Sequence, residues 1–156
     1  MKKTMLIFAL FLVLLNFGTC HGGTYNFNFE DLKDNVIGVE LINYNNSNVK
    51  KIKNLDNLLS FDFSLMEIIE VLPAEKINAF LEEYSTAYFF EIFNYLDSPN
   101  GISLRLFYKN GDFKVVCLET YYVCKFGSDG NVKEFFTIMY QRVLIRIINK
   151  YFDTQL

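Results

Sequence analysis

The dipeptide Asn110-Gly111 lies between two runs in which apolar residues alternate with others, and this feature most restricts the fold. Asn-Gly favours the tight type I′ turn of a two-residue hairpin loop. We therefore predict a hairpin of strands 102–109 and 112–118, with the apolar side chains of both strands on one face. The predicted pairs are Lys109–Asp112, Tyr108–Phe113, Leu106–Val115 and Leu104–Cys117.

The remaining pattern predicts an α+β domain over residues 24–156. Pro73 precedes a helix whose apolar stripe is Ile77, Phe80, Leu81 and Tyr84, at helical spacing. We expect an antiparallel sheet of about four to six strands with two helices packed on one face. Besides the hairpin, the predicted elements are strands 36–44, 87–95 and 121–126, an extended segment 61–72, and helices after Pro73 and over 139–152.

Residues 1–23 have the organisation of a secretory signal peptide. Lys2 and Lys3 precede an unbroken apolar run from Met5 to Leu15, which is too short to span a bilayer comfortably. Cys20 follows where a bacterial lipoprotein carries its lipidated cysteine, although Phe17 and Thr19 depart from the usual lipobox residues. We therefore expect an exported protein, either freely secreted or anchored to the outer face of the cell membrane by a lipid on Cys20.

Loss of this leader leaves 13 basic and 18 acidic residues, a net charge of −5. An acidic domain without a basic cluster is not a general nucleic-acid binder. The side chains Arg142, Arg146 and Lys150 repeat every four residues, which we interpret as the solvated face of a helix.

The chemistry available to the domain is restricted, because the one histidine, His21, falls within the leader. A Ser-His-Asp or Cys-His relay and a histidine-ligated zinc site are thereby excluded. No phosphate-binding glycine motif occurs, so we expect no cofactor, no metal and no catalytic residues. A carboxylate pair for glycoside cleavage stays open, since it requires only two acids at a fixed separation. The candidate acids are Asp62, Glu67, Glu70, Glu82, Glu83, Glu91 and Asp97.

Two cysteines remain after the leader, Cys117 and Cys124. In an oxidising compartment they allow one disulfide, and two free buried thiols are the alternative. If Thr120-Tyr121 were the next turn, Cys117 would face Cys124 across strands and lie close enough to bond.

Several short segments have a spacing typical of one group of proteins: Phe61–Asp62–Phe63, Val71–Leu72–Pro73, Leu96 to Ile102, Tyr108 to Phe113, Asp129 to Phe135 and Asn149 to Phe152. In these segments the sequence resembles small, uncharacterised exported or lipoprotein-like proteins of low-GC Gram-positive bacteria. The resemblance covers most of residues 36–152, its motifs mark turns and strand ends, and it implies no activity, cofactor or site residue.

We expect the function to be binding of a protein or envelope component without catalysis. The alternatives are an immunity-type inhibitor of a secreted toxin or enzyme, and a carboxylate-dependent hydrolase of envelope glycans. In the predicted register the sheet face away from the helices offers apolar groups bordered by basic ones, as interaction surfaces do. Alternatively a further segment, 24–34 or the 45–60 loop, covers that face and makes a second core. The residues predicted for partner binding are Arg105, Phe107, Lys114, Val116, Tyr121 and Lys125.

Overall fold

The computed structural model describes residues 24–25, 27–45, 51–52, 61–87, 89–90, 96–97, 100–118, 122–138 and 141–156. These residues form a 3-10 helix (Phe63–Leu65), three α-helices and ten strands. The helices are α1 (Phe29–Asn35), α2 (Ala74–Tyr84) and α3 (Gln141–Tyr151). The strands are β1 (Thr24–Tyr25), β2 (Val36–Tyr44), β3 (Lys51–Ile52), β4 (Met66–Val71), β5 (Phe89–Phe90), β6 (Leu96–Asp97), β7 (Gly101–Tyr108), β8 (Phe113–Cys117), β9 (Tyr122–Phe126) and β10 (Val132–Ile138).

Eight of these strands form one antiparallel sheet in the order β1-β5-β10-β9-β8-β7-β2-β4. The six from β10 to β4 are at least five residues long, and the two-residue strands β1 and β5 extend one edge. The remaining described strands, β3 and β6, pair with each other. The α+β prediction of an antiparallel sheet with helices on one face is therefore confirmed.

Strand β2 has its predicted bounds and helix α2 has its predicted start. Strand β2 covers the β-branched run 36–44, and α2 starts directly after Pro73. Proline suits a helix start, because the first backbone N–H groups of a helix have no partner within it. Phe80, Leu81 and Tyr84 are buried along α2. Burial of this stripe joins α2 to the sheet.

Helix α1 was not predicted, since the pattern of residues 24–34 predicted neither a helix nor a strand. Asn28 caps it, with its side-chain oxygen accepting the N–H of Glu30 at 2.9 Å. Leu32 is its buried residue, and it joins the core formed by α2, α3 and the sheet. Because a helix of seven residues is not stable alone, α1 depends on this packing.

The sheet buries apolar side chains on both of its faces. All three helices pack on the face that we call the helix-covered face, whose strand residues are Val39, Leu41, Leu104, Leu106, Val116 and Val123. The other face, here the opposite face, carries a second core. Its buried residues are Ile42, Tyr44, Phe61, Phe113, Val115, Cys117, Cys124 and Phe126. Phe61 lies at its centre, with ring centroids 4.7 Å from Tyr44, 5.1 Å from Phe113 and 5.2 Å from Phe126.

The β7–β8 hairpin is present, but its predicted register is wrong by one residue. Leu104 faces Val116 and Leu106 faces Lys114. The loop has three residues, because the Tyr108 N–H donates to the Asp112 carbonyl at 2.9 Å and the Gly111 N–H donates to the Tyr108 carbonyl at 2.9 Å. Gly111 has φ +85°, as in a three-residue loop with a glycine bulge. A shift of one residue moves every side chain of β8 to the other face.

The neighbouring strands also differ from the prediction. In the β8–β9 pair Val115 faces Cys124 and Cys117 faces Tyr122, a shift of two residues from the predicted register. Strand β10 was missed entirely, whereas the C-terminal helix occupies 141–151 of the predicted 139–152. Of the predicted strand 87–95, the described residues include only Ala87 and β5, and residues 91–95 lie outside them.

Candidate functional site

The six residues predicted to form one binding surface do not share a face of the sheet. Arg105 and Phe107 lie on the opposite face, Lys114, Val116 and Lys125 on the helix-covered face, and Tyr121 lies outside the described residues. Val116 has no exposed surface. The predicted surface was wrong because it depended on the two-residue hairpin loop, and the actual loop reverses the faces of β8.

Arg105 already has a partner of opposite charge. On the opposite face it pairs across strands with Glu40, and its Nε donates to Glu40 Oε2 at 3.1 Å while its Nη2 donates to the same oxygen. The guanidinium carbon lies 4.4 Å from the centre of the Phe107 ring, within the range of a cation–π contact. Both charged side chains are mostly buried. Arg105 therefore stabilises the fold and is not available to an external partner.

Cys117 and Cys124 are buried on the opposite face and are not joined in a disulfide. The register sets them diagonally, since Cys117 faces Tyr122 and Cys124 faces Val115. Diagonal neighbours in a sheet lie about 7–8 Å apart, at or beyond the range that a disulfide spans. Burial raises the pKa of the Cys124 thiol well above its usual range, which makes it a poor nucleophile. Cys20, the predicted lipidation site, lies outside the described residues.

Strand β4 is an edge of the sheet among the described residues, with β2 as its one neighbour. Its residues Ile68 and Val71 point to the opposite face, since they pair with Ile42 and Glu40. The ladder shifts between these pairs, so that β4 has one residue more than β2 at this point. A strand edge presents backbone N–H and C=O groups that can pair with another strand.

The apolar side chains of this edge are unusually exposed. Exposure is 47% for Ile68, 38% for Ile69 and 58% for Val71. The 3-10 helix just before the strand adds Phe63 and Leu65, both exposed. Large apolar side chains exposed together within one short segment are typical of interaction sites in soluble proteins. We call these five residues the β4 surface.

The charged residues within the segment 61–72, which contains the β4 surface, are all acidic. Residues 61–72 contain the acids Asp62, Glu67 and Glu70 and no basic residue. Asp62 and Glu67 are exposed. Hydrogen bonds from the Ser64 side chain and backbone lower the pKa of Asp62, so this carboxylate keeps its charge near neutral pH. The β4 surface therefore combines apolar side chains with fixed negative charge.

Glu70 holds the C-terminal segment against β4. Its carboxylate accepts the N–H of Asp153 at 2.9 Å and both the N–H and the hydroxyl of Thr154 at 3.0 Å. Burial acts to raise the pKa of Glu70, but these hydrogen bonds outweigh it and the net effect is to lower the pKa. The strand is thus fixed by β2 along one edge and by the C-terminal segment on the helix-covered face.

Three of the acids considered for glycan cleavage, Asp62, Glu70 and Glu83, have structural partners. Glu70 binds the C-terminal segment, and Glu83 of α2 accepts hydrogen bonds from Lys150 and Tyr151, which lower its pKa. A general acid in a glycosidase needs a raised pKa so that it stays protonated. The pKa shifts of Asp62, Glu70 and Glu83 run in the other direction. Glu91 lies outside the described residues.

Lys114 is the most unusual titratable group in the described part of the chain. It lies on the helix-covered face, 4% exposed, with its Nζ 3.4 Å from the centre of the Phe27 ring and 5.6 Å from that of Tyr108. Lys125 lies directly opposite on β9. Among the described residues no carboxylate oxygen lies within 4.0 Å of the Lys114 amine, whereas Lys125 has Glu134 at 3.8 Å.

Burial lowers the pKa of Lys114 to about 7. That value is the net result of four causes: burial is the largest, the positive charge of Lys125 also lowers the pKa, and the negative charges of Glu134 and Asp31 raise it. The Phe27 ring attracts the charged amine, but a cation–π contact contributes about 0.5–2 kcal/mol. Burying an ammonium group costs several kcal/mol. The uncharged amine is therefore favoured in this environment.

Sequence reasoning missed both features for identifiable reasons. The run MEIIEV indicates a strand but gives no sign of whether it lies at an edge or in the centre of a sheet. Lys114 was placed on the wrong face by the hairpin register. The run FKVVC was the available signal, because Lys114 is its one polar residue. A strand of nearly continuous apolar residues is typical of a strand buried on both faces.

The described residues contain no group of three or more His, Cys, Asp and Glu side chains that could hold a metal ion. No helix among them is long and apolar enough to cross a membrane. No protein-family model, no curated protein and no solved structure matches this chain.

Proposed function

We propose that the protein is an exported binding module that takes up an extended segment of a partner protein along β4. The observation that carries this proposal is the combination of an edge strand with exposed apolar side chains at Ile68, Ile69 and Val71. Strand addition supplies affinity through main-chain hydrogen bonds and specificity through alternate side chains. The protein needs no catalytic group to perform this function.

The chemistry of the β4 surface defines the partner. Its apolar side chains favour a segment with apolar residues at alternate positions, because side chains alternate across a strand. The exposed carboxylates of Asp62 and Glu67 favour basic residues at the positions between, through complementary charge. The proposed partner is therefore an extended segment that alternates apolar with basic residues.

A second copy of the chain fits this edge less well. Antiparallel pairing of two β4 strands about their common centre would set Glu67 of one copy opposite Glu70 of the other. Like charges directly opposite each other destabilise a strand pair. Inhibition of a secreted enzyme or toxin is one use of the same surface, in which the bound segment belongs to that enzyme or toxin.

Calorimetry with two synthetic peptides tests the proposal. One ten-residue peptide alternates valine with lysine, and its matched control alternates valine with glutamate. We expect the lysine peptide to bind and the glutamate peptide to bind at least about tenfold more weakly, a difference of 1.4 kcal/mol. Equal binding of both peptides, or binding of neither, would contradict the proposal.

A pair of variants locates the binding. Ile68→Lys places a positive charge in the β4 surface and is expected to abolish binding of the lysine peptide. Ile37→Lys is the matched control, since Ile37 is equally an exposed isoleucine at 59% but precedes the part of β2 that pairs with β4. Loss of binding in both variants would place the site elsewhere.

Export is supported by the basic start and apolar run of residues 2–15 and by Cys20 after them. The intact mass of the protein from its native host tests this part of the proposal. A diacylglyceryl increment on Cys20 would identify a lipoprotein, and a chain starting at His21 or Gly23 would identify secretion. A folded protein that retains Met1 to Leu15 would refute export.

A further inference from the structure

Lys114 joins the centre of the sheet to the segment that covers it. Its amine lies 3.4 Å from the centre of the Phe27 ring, and Phe27 immediately precedes the cap of α1. Phe27 also stacks on Tyr84 of α2, with ring centroids 5.6 Å apart. The ring thus contacts both the Lys114 amine and α2, and a change at the amine acts directly on the segment that carries Phe27.

The charged groups that act on the amine come from three elements. Lys125 on β9 lies directly opposite, Glu134 on β10 is paired with Lys125, and Asp31 belongs to α1. The phenol of Tyr108 on β7 contributes an aromatic ring 5.6 Å away. A proton added to Lys114 therefore creates a second positive charge beside Lys125, in a place from which water is mostly excluded.

We propose that Lys114 is a proton-operated latch, whose uncharged amine lets Phe27 and α1 close over the sheet and whose protonation loosens that segment. This device is independent of the partner surface at β4, since it lies on the other face of the sheet and in a different strand.

The segment 27–35 is the part that can move. Helix α1 has seven residues and depends on Leu32 for its burial, so it is marginal by itself. Strand β8 cannot move in its place, because all five of its residues are buried between two paired strands. Short peripheral segments of proteins commonly open at a lower free energy than is needed to unfold the whole molecule.

The direction of the effect follows from proton binding. Burial lowers the pKa of Lys114 to about 7 in the closed form, from the ordinary value of 10.5 that it regains when the segment opens into water. The open form therefore binds the proton more tightly. Between pH 10.5 and about 7 the equilibrium constant for opening rises up to tenfold for each unit that the pH falls, and below about 7 it stays constant.

Hydrogen exchange of the backbone amides of residues 28–35, measured from pH 6 to 9.5, tests the latch. After correction for the intrinsic exchange rate at each pH, we expect protection of this segment to fall as the pH falls toward 7 and then to level off. Protection of β7, β8 and β9 should change much less. In Lys114→Met, which keeps the length and apolar stem without the amine, protection of residues 28–35 should be high and independent of pH.

Two further variants move the transition in opposite directions and keep the test valid if Lys114→Met does not fold. Lys125→Gln removes a repelling charge, so the pH at which protection levels off should rise. Glu134→Gln removes an attracting charge, so that pH should fall. The latch is refuted if both variants shift it in the same direction, if protection of residues 28–35 does not depend on pH, or if protection changes equally across the whole sheet.

Discussion

Strands β8 and β4 belong to one antiparallel sheet and are nearly equal in length, yet they meet different surroundings. All five residues of β8 are buried, whereas β4 exposes Ile68, Ile69 and Val71. The ionisable groups in the interior around β8, Arg105 and Lys114, are enclosed by aromatic rings or an ion pair. The comparison teaches that the polar groups at the centre of this sheet make their contacts within the fold, and that groups able to meet a partner lie at its edge.

The strongest test of this comparison is removal of a large side chain from the second core, next to β8. Phe126 has no exposed surface, and its ring stacks on Phe113 with centroids 5.1 Å apart. We expect Phe126→Ala to lower the free energy of unfolding by about 3–5 kcal/mol, measured by urea denaturation. If Phe126→Ala lowered the free energy of unfolding by as little as a substitution of an exposed β4 residue, the second core would not stabilise the protein as described.

Breaking the buried ion pair should have the next largest effect. Glu40→Ala leaves the Arg105 guanidinium buried without its carboxylate, and we expect a loss of about 3 kcal/mol. The double variant Glu40→Ala, Arg105→Met should recover part of this loss, because no uncompensated charge remains. Urea denaturation of the single and the double variant at one pH measures the difference in their free energies of unfolding. Equal stability of the two variants would contradict the claim that Glu40 neutralises a buried Arg105.

Lys114→Met should instead stabilise the protein, by up to about 4 kcal/mol at pH 7. The folded form holds the Lys114 proton with a pKa of about 7, against 10.5 in the unfolded chain. The unfolded chain therefore binds more protons between these values, and the stability of the wild type should rise as the pH increases from 7 toward 10.5. In Lys114→Met this contribution to the pH dependence is absent. If the free energy of unfolding changed with pH in the same way in the wild type and in Lys114→Met between pH 7 and 10.5, the lowered pKa of Lys114 would be refuted.

At β4 the same kind of substitution should cost little. Ile68→Lys replaces a side chain that is 47% exposed, and we expect its effect on the free energy of unfolding to lie within about 0.5 kcal/mol. Placing lysine at Val115, which is fully buried in β8, should prevent folding. Thermal denaturation of the two variants side by side gives the contrast directly. A large loss at Ile68 would mean that β4 is covered in solution.

The sequence predicted local structure well where the signal lies within a few residues. Strand β2 and helix α2 follow from a β-branched run and from an apolar stripe after Pro73. The hairpin position follows from Asn110-Gly111. Its register does not, because this dipeptide fits both a two-residue loop and a three-residue loop in which Gly111 takes positive φ. The choice between them depends on contacts made by the whole sheet.

The face on which Lys114 lies depended on that choice, and so it could not be predicted. One residue of register decides whether Lys114 faces water or lies beneath Phe27. Similarly, nothing in the run MEIIEV distinguishes an edge strand from a central one, since this depends on which distant strands pair with each other. Edge exposure is a property of the topology, and topology is set by contacts far apart in the chain.

The central claim is that β4 is the strand that meets a partner and β8 is not. Amide chemical shifts, followed by NMR while the peptide of alternating valine and lysine is added, test it most directly. The account predicts saturable shifts in Met66–Val71, with Phe113–Cys117 nearly unchanged, and loss of these shifts in Ile68→Lys. Shifts centred on Phe113–Cys117, or a β4 that does not respond to peptide at millimolar concentration, would contradict it.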